Sequence, residues 1–284
     1  MIGFGVRNLK VFFKDKASVF FSLLAVFIII GLYALFLGDV WVNSLGNAPG
    51  AEFLMNSWIM AGLLAVTSVT TTMGAFGTMV DDKSKKIIKD FTVSPIKNGK
   101  IVGGYIFSSI IIGIIMSLVT VVLAEVYIIV SGGEFMGFEA LLKVLGLVVL
   151  ATTTNASMVL LLVSFFKSIN AFATASTVIG TLIGFLTGIY LPIGQLPEGV
   201  QWVVKCFPPS HAALLFRQVM MEAPMAATFE GAPAETIDSF EQLMGATFKF
   251  GETTVSVATS ILILIGSAVV FYGLALWNIS RKKR

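Results

Sequence analysis

One cysteine, one histidine and few charges set the first limits on this sequence of 284 residues. The single cysteine, Cys206, excludes an intrachain disulfide and any C-x-x-C redox or zinc pair. The single histidine, His211, has no second ligand-type neighbour, so no metal site is expected. There is no H-E-x-x-H and no G-x-S-x-G, and Gly99-Lys100 lacks the preceding glycines of a P-loop, so protease, hydrolase and ATP-binding readings fall away. Ser210 and His211 are adjacent, and adjacency is not triad geometry. Charged residues make up 12%, where a soluble domain carries about a quarter.

What fills the chain instead is apolar: 56% of residues are hydrophobic. That composition predicts an all-α polytopic membrane protein held in a lipid bilayer, one domain over 1–284. The net charge of +3 is then a matter of topology, and no nucleic-acid affinity is expected. Residues 1–16 place Ile2, Val6, Leu9 and Phe13 on one helical stripe and Arg7, Lys10 and Lys14 opposite, the pattern of a helix lying in the membrane surface. Six spans follow, at about 17–37, 54–80, 101–130, 141–165, 170–191 and 254–277. The first is long enough to cross a bilayer and lacks a clear small-x-small cleavage site, so it is expected to remain as an anchor.

Orientation follows from the basic residues. The amino terminus, the loop 81–100, the turn at Lys167 and the tail after Trp277 carry 15 of the 19 Lys and Arg, and only Lys143, Lys205, Arg217 and Lys249 fall on the other side. Both termini are therefore expected in the cytoplasm. The loop 81–100 alone holds six lysines, and within it Ile87, Ile88 and Phe91 share a helical face that a partner could use, although a solvated loop that only fixes topology would read the same way. Residues 192–253 are expected outside. Their first part contains two short apolar segments broken by Pro208-Pro209, with Ser210 as the helix cap, which suggests half-helices that re-enter the outer leaflet. Their second part, 222–253, is acidic and should form a small cap with Ile237, Phe240 and Met244 on one face.

Within the spans the ionisable residue is Glu125, near the outer end of the third. The second span has a face of small and hydroxyl residues, Thr67, Thr70, Thr71, Gly74, Gly77 and Thr78. The fifth carries Gly180, Gly184 and Gly188 beside Thr174, Thr177, Thr181 and Thr187. Such stripes permit close helix packing inside one subunit, and serve equally at a subunit interface or along a pathway wall. Asn155 is the most polar buried candidate of the fourth span.

Six spans, an amino-terminal interfacial helix, a basic loop containing Ser94-Pro95-Ile96, and a fifth span ending in Leu191-Pro-Ile-Gly-Gln-Leu-Pro-Glu-Gly-Val-Gln-Trp202 before Phe207-Pro-Pro-Ser210 together resemble the ABC-2 type permease family. The resemblance covers essentially the whole chain. It implies a bacterial ABC exporter subunit in the plasma membrane, with short re-entrant half-helices after the fifth span. It also implies ABC ATPase subunits that bind ATP and Mg, and a second permease making a homodimer or heterodimer. The loop between the second and third spans would dock the ATPase through Asp81, Asp82, Lys83, Lys86, Ile87, Ile88 and Phe91. Asp81 to Phe91 would form the coupling helix, and Ser94, Pro95 and Ile96 would start the helix entering the third span, Ser as cap and Pro in the first turn. Where the family often carries an acid and a Gly-Thr pair, this chain has Lys85-Lys-Ile-Ile-Lys89.

On that reading Thr67, Thr70, Thr71, Asn155, Thr177 and Thr181 line the substrate pathway, and the scarcity of buried charge favours an amphipathic drug, antimicrobial peptide or lipid-like molecule. Two rival readings are an ion-coupled carrier working through Glu125 and a membrane scaffold or sensor that recruits a soluble partner.

Overall fold

The computed structural model describes residues 1–46, 48–92 and 98–281. Helix α1 (Ile2–Lys14) turns at Asp15 into α2 (Lys16–Leu32). Asp15 caps α2 by accepting the N–H groups of Ala17 and Ser18 at 3.1 and 3.2 Å. A π-helical turn, Tyr33–Leu37, continues the first span into α3 (Gly38–Ser44). Then come α4 (Ala51–Ser84), α5 (Ile87–Thr92), α6 (Asn98–Val130), α7 (Phe138–Phe165) and α8 (Ile169–Leu186). Four shorter helices follow: α9 (Glu198–Cys206), α10 (Pro208–Met220), α11 (Glu222–Thr228) and α12 (Ala234–Met244). A small antiparallel hairpin, β1 (Lys249–Phe250) with β2 (Thr253–Thr254), leads to α13 (Val257–Arg281).

Among the described residues six helices are long and apolar enough to cross a membrane: Lys16–Phe36, Ala51–Ser84, Gly99–Val130, Phe138–Phe165, Ile169–Leu186 and Val257–Arg281. The all-α, six-span architecture expected from composition is thus the one observed, and the chain is a multi-pass membrane protein.

Helix α4 is the axis of the bundle. Its 34 residues span about 50 Å at 1.5 Å per residue, well beyond the roughly 30 Å of a hydrocarbon core. It packs against α2, α6, α7, α8 and α10, so nearly every side of it is buried. Small residues make this possible. Gly113 of α6 sits where an added Cβ would lie 2.5 Å from Thr152 of α7 and 2.9 Å from Thr72 of α4, so three helices meet at one glycine. The hydroxyls in the middle of α4 return to their own helix: Thr67 donates to Leu63 O at 2.8 Å and Thr71 to Thr67 O at 2.7 Å. Helix α13 runs along α7, pinned by Thr154 on Leu264 O at 3.1 Å and by Asn278 on Ser164 at 2.6 Å.

The fifth span differs from expectation at its end. It stops at Leu186, five residues before Leu191, because Gly188 takes φ +68 and turns the chain. Ile189 N–H bonds Gly184 O at 2.9 Å and Gly188 N–H bonds Phe185 O at 3.1 Å, the paired bonds of a Schellman stop. Gly188 therefore ends the helix and does not extend the glycine line along its face.

The half-helices anticipated after the fifth span are α9 and α10. Ser210 does not cap α10, which already begins at Pro208 behind Phe207. Its hydroxyl instead donates to Leu186 O at 2.6 Å, at the end of α8. The acidic segment folds as α11, α12 and the hairpin. Met244 of α12 is buried, with Ile237 and Phe240 packed against the core as their spacing suggested.

Candidate functional site

Of the amphipathic stripe of α1, Ile2, Val6 and Phe13 are exposed, at 65%, 38% and 38%, and Leu9 packs against the core. The side that meets the protein is a second one, Gly5, Asn8 and Phe12. Gly5 and Gly104 of α6 let the two backbones approach closely, for a Cβ at either would strike Phe107 or Phe4 at 2.6 Å.

From this helix Arg7 reaches the end of α4. Its guanidinium donates to both carboxylate oxygens of Asp82, at 2.6 and 3.1 Å, and Tyr105 of α6 donates its hydroxyl to the same carboxylate at 2.6 Å. The Asp82 side chain is 3% exposed and that of Arg7 33%. Hydrogen bonding to Asp82 raises the Arg7 pKa above its already high ordinary value, so the guanidinium stays charged. Aromatic rings complete the knot: Phe4 meets Phe91 edge-on at 4.9 Å and Tyr105 at 5.0 Å, and Arg7 lies 5.5 Å from the Phe91 centroid.

The lysine-rich loop is therefore built differently from one continuous helix over Asp81 to Phe91. Helix α4 runs on through Ser84, the chain turns at Lys86 with φ +62, and α5 begins at Ile87. Asp82 points inward to the latch and Phe91 packs on Phe4, so neither stands on the open surface expected for it. Asp81 pairs with Lys85 at 2.8 Å on the exposed side, Lys83 is half-buried, Lys86 is exposed, and Ile87 and Ile88 are half-buried. Ser94, Pro95 and Ile96 lie outside the described residues.

The residues expected along a pathway fall into two groups. Thr67, Thr71 and Asn155 are sealed in the core, where Asn155 donates to Ser68 at 2.7 Å. Thr177 and Thr181 stand exposed on the outer face of α8, with hydroxyls returned to their own helix at 3.1 and 3.0 Å. Between the groups lies a groove of about 410 Å³ formed by α2, α4 and α8, where Thr70 meets Ser22, Ser176 and Gly180 over Phe21 and Phe172. An almost wholly apolar crevice of about 230 Å³ flanks the other side of α8, lined by Met73, Met158, Leu162 and Leu182. With crevices on both sides, 17% of the apolar stretch of α8 is buried inside the chain against 89% for α4, so α8 lies at the periphery of the bundle. Gly180 has no atom within 4 Å of an added Cβ, whereas Gly184 is covered by Tyr190 of the same chain.

Sequence reading overlooked Arg217. It is fully buried on α10, donates to Thr187 O and Gly188 O at 2.9 and 3.0 Å, and lies 5.1 Å from the Trp58 centroid. The carbonyl end of α8 supplies its counter-charge. An arginine inside an otherwise apolar half-helix was the available signal. Both ring nitrogens of His211 are engaged: Nε2–H donates to Lys205 O at 2.9 Å, and Nδ1 accepts from Ser260 at 3.2 Å, which ties α10 to α9 and α13. Among the described residues no group of three His, Cys, Asp or Glu side chains converges as a metal site.

Six helices able to cross a membrane, a basic loop latched to a surface helix and a pair of half-helices after the fifth span define a multi-pass transport protein. The family model for ABC-2 family transporter proteins matches residues 42–277, and the chain belongs to that family. Membership makes it an ABC transporter permease, the kind of subunit that works with an ABC ATPase. No curated protein matches the chain in sequence.

Proposed function

We propose that this chain is the membrane half of an ATP-driven exporter in the bacterial plasma membrane, with both termini and the loop 81–100 in the cytoplasm. ATP and Mg bind the partner ATPase, which docks on the loop through Lys86, Ile87 and Ile88. The observation that carries the reading is the latch. A push on α5 reaches Phe91, and from there α1, α4 and α6 through Phe4, Arg7, Asp82 and Tyr105. The loop is mechanically tied to the central helix, which a mere topological spacer does not need. Closure of the ATPase pair then biases the bundle between inward- and outward-facing states.

A second permease, identical or similar, packs on the exposed threonine face of α8, with Thr177, Thr181 and Gly180 at the seam. The cargo is an amphipathic drug, peptide or lipid-like molecule. Hydroxyls of Ser22, Thr70 and Ser176 beside Phe21 and Phe172 suit a polar head, and the apolar crevice behind α8 suits a chain. Reconstitution with the ATPase in proteoliposomes tests the proposal: transport should need hydrolysable ATP, and transport by this chain alone under a proton or sodium gradient would overturn it.

A further inference from the structure

At the end of the bundle opposite the lysine-rich loop, another ionisable group is buried with no ion-pair partner among the described residues. Glu125 of α6 is 7% exposed, and its carboxylate accepts the Met136 N–H at 3.1 Å. It takes part in no ion pair among the described residues. A small cavity of about 70 Å³ adjoins it. The polar part of its wall is Glu125, Ser57 of α4 and Glu134 of the α6–α7 loop, and the apolar part includes Phe53, Met220 and Pro224. Ser57 is 1% exposed and its hydroxyl has no hydrogen-bond partner. Glu134 is exposed at the mouth.

The loop is shaped to close this cavity. Gly132 turns the chain with φ +82, and at Gly133 an added Cβ would sit 2.8 Å from Phe53 and 2.7 Å from Ile128. A glycine there lets the loop lie flat on α4 and brings the Met136 N–H onto Glu125.

We infer that Glu125, Ser57 and Glu134 form a binding site for a single small hard cation, independent of the transport reaction proposed above. Burying a lone carboxylate is costly unless a positive charge compensates it, and a buried unpaired hydroxyl adds to that cost. A cation satisfies both at once, and a second carboxylate at the mouth draws it in. All the candidate ligands are oxygen, which selects the sodium or calcium class over soft metals. The cavity holds an ion and a few waters, and excludes organic cations, whose sites are several times larger. Because its walls come from α4, α6, the loop and the α10–α11 corner, occupancy staples the half-helices to the spans.

The test is thermal unfolding of the full chain in detergent at constant ionic strength, with choline chloride replaced stepwise by NaCl, KCl, CaCl2 or MgCl2. One of the sodium or calcium series should raise the unfolding midpoint saturably. Glu125→Gln should abolish the rise, and Glu134→Gln and Ser57→Ala should each raise the half-maximal concentration about tenfold or more. Glu139→Gln, which removes an exposed carboxylate paired with Lys143, should leave it unchanged. If Glu125→Gln fails to fold, the two milder variants still decide the matter. Identical midpoints in all salts would mean that a proton neutralises Glu125, and the inference fails; it fails equally if Glu134→Gln and Ser57→Ala respond like the parent chain.

Discussion

The Arg7 guanidinium holds the Asp82 carboxylate in a two-pronged ion pair, at 2.6 and 3.1 Å, across a gap of 75 positions in the sequence. The surface helix and the central helix are thereby made one unit at the point where the lysine-rich loop begins. Removing one partner of a buried pair strands the other, at about 3 kcal/mol, the low end of the usual range because Arg7 is one-third exposed. Arg7→Ala and Asp82→Asn should each lower the unfolding midpoint of the purified chain. The double variant should lose less than the sum of the two, with a coupling energy above about 1 kcal/mol. Tyr105→Phe, which removes one hydrogen bond to the same carboxylate, should cost about 1.5–3 kcal/mol.

The two sides of α5 should separate in a docking assay. Ile87→Asp with Ile88→Asp leaves the latch intact and should abolish association with the ATPase, measured by co-purification, while the unfolding midpoint moves little. Phe91→Ala removes the ring against Phe4 and should destabilise the chain by about 3 kcal/mol or less, since the ring is only half-buried. Retained association in the Ile87, Ile88 variant would remove those residues from the docking surface.

The number of spans and the two short helices after the fifth were legible because each rests on local composition: apolar runs of sufficient length, and Pro208-Pro209 between two short ones. The latch was not, because an amphipathic stripe says which face of α1 prefers lipid, and says nothing about Arg7 crossing to Asp82. Asp82 read as a loop residue for the same reason, since its burial comes from α1 and α6. The fifth span was overextended because Thr187 to Leu191 is apolar enough to continue a helix, and the stop lies in the conformation of Gly188. Arg217 was counted as a basic residue on the minority side, when its isolation among Leu214, Leu215, Phe216 and Val219 marked it as a group with a buried task.

The glycines of α8 should rank by what surrounds each. Gly180→Ala meets open space and should leave stability unchanged within about 0.5 kcal/mol in the isolated chain. Gly188→Ala combines a positive φ with a Cβ 2.5 Å from Ile193, and should cost about 1–3 kcal/mol. If the α8 face is the seam with a second permease, Gly180→Trp should spare monomer stability and weaken assembly, read as a shift in the mass of the detergent-solubilised complex. An unchanged mass would place the seam elsewhere.

Arg217 provides the sharpest test of how the half-helices are joined to the fifth span. Its Nη2 donates to both the Thr187 and Gly188 carbonyls at the end of α8, Nη1 is directed at Gly245 O at 3.5 Å, and the ring of Trp58 on α4 lies against it. Gly62, Gly188 and Gly245 each leave room for it, with an added Cβ at Gly245 only 2.9 Å from Nη1. Arg217→Ala would leave those carbonyls buried without donors and open a hole beside Trp58, so a loss of about 3–5 kcal/mol is expected. Arg217→Lys keeps the charge but offers a compact ammonium where a flat fork reaches the α8 carbonyls with one prong and Gly245 O with the other beside Trp58, so it should recover only part of that loss. The measurement that isolates the role is amide exchange: in Arg217→Lys, protection should fall at Gly188 and Ile189, whose N–H groups make the helix stop, and remain at the centre of α4. Uniform loss across both regions would reduce Arg217 to a general packing residue rather than the tie between α10 and α8.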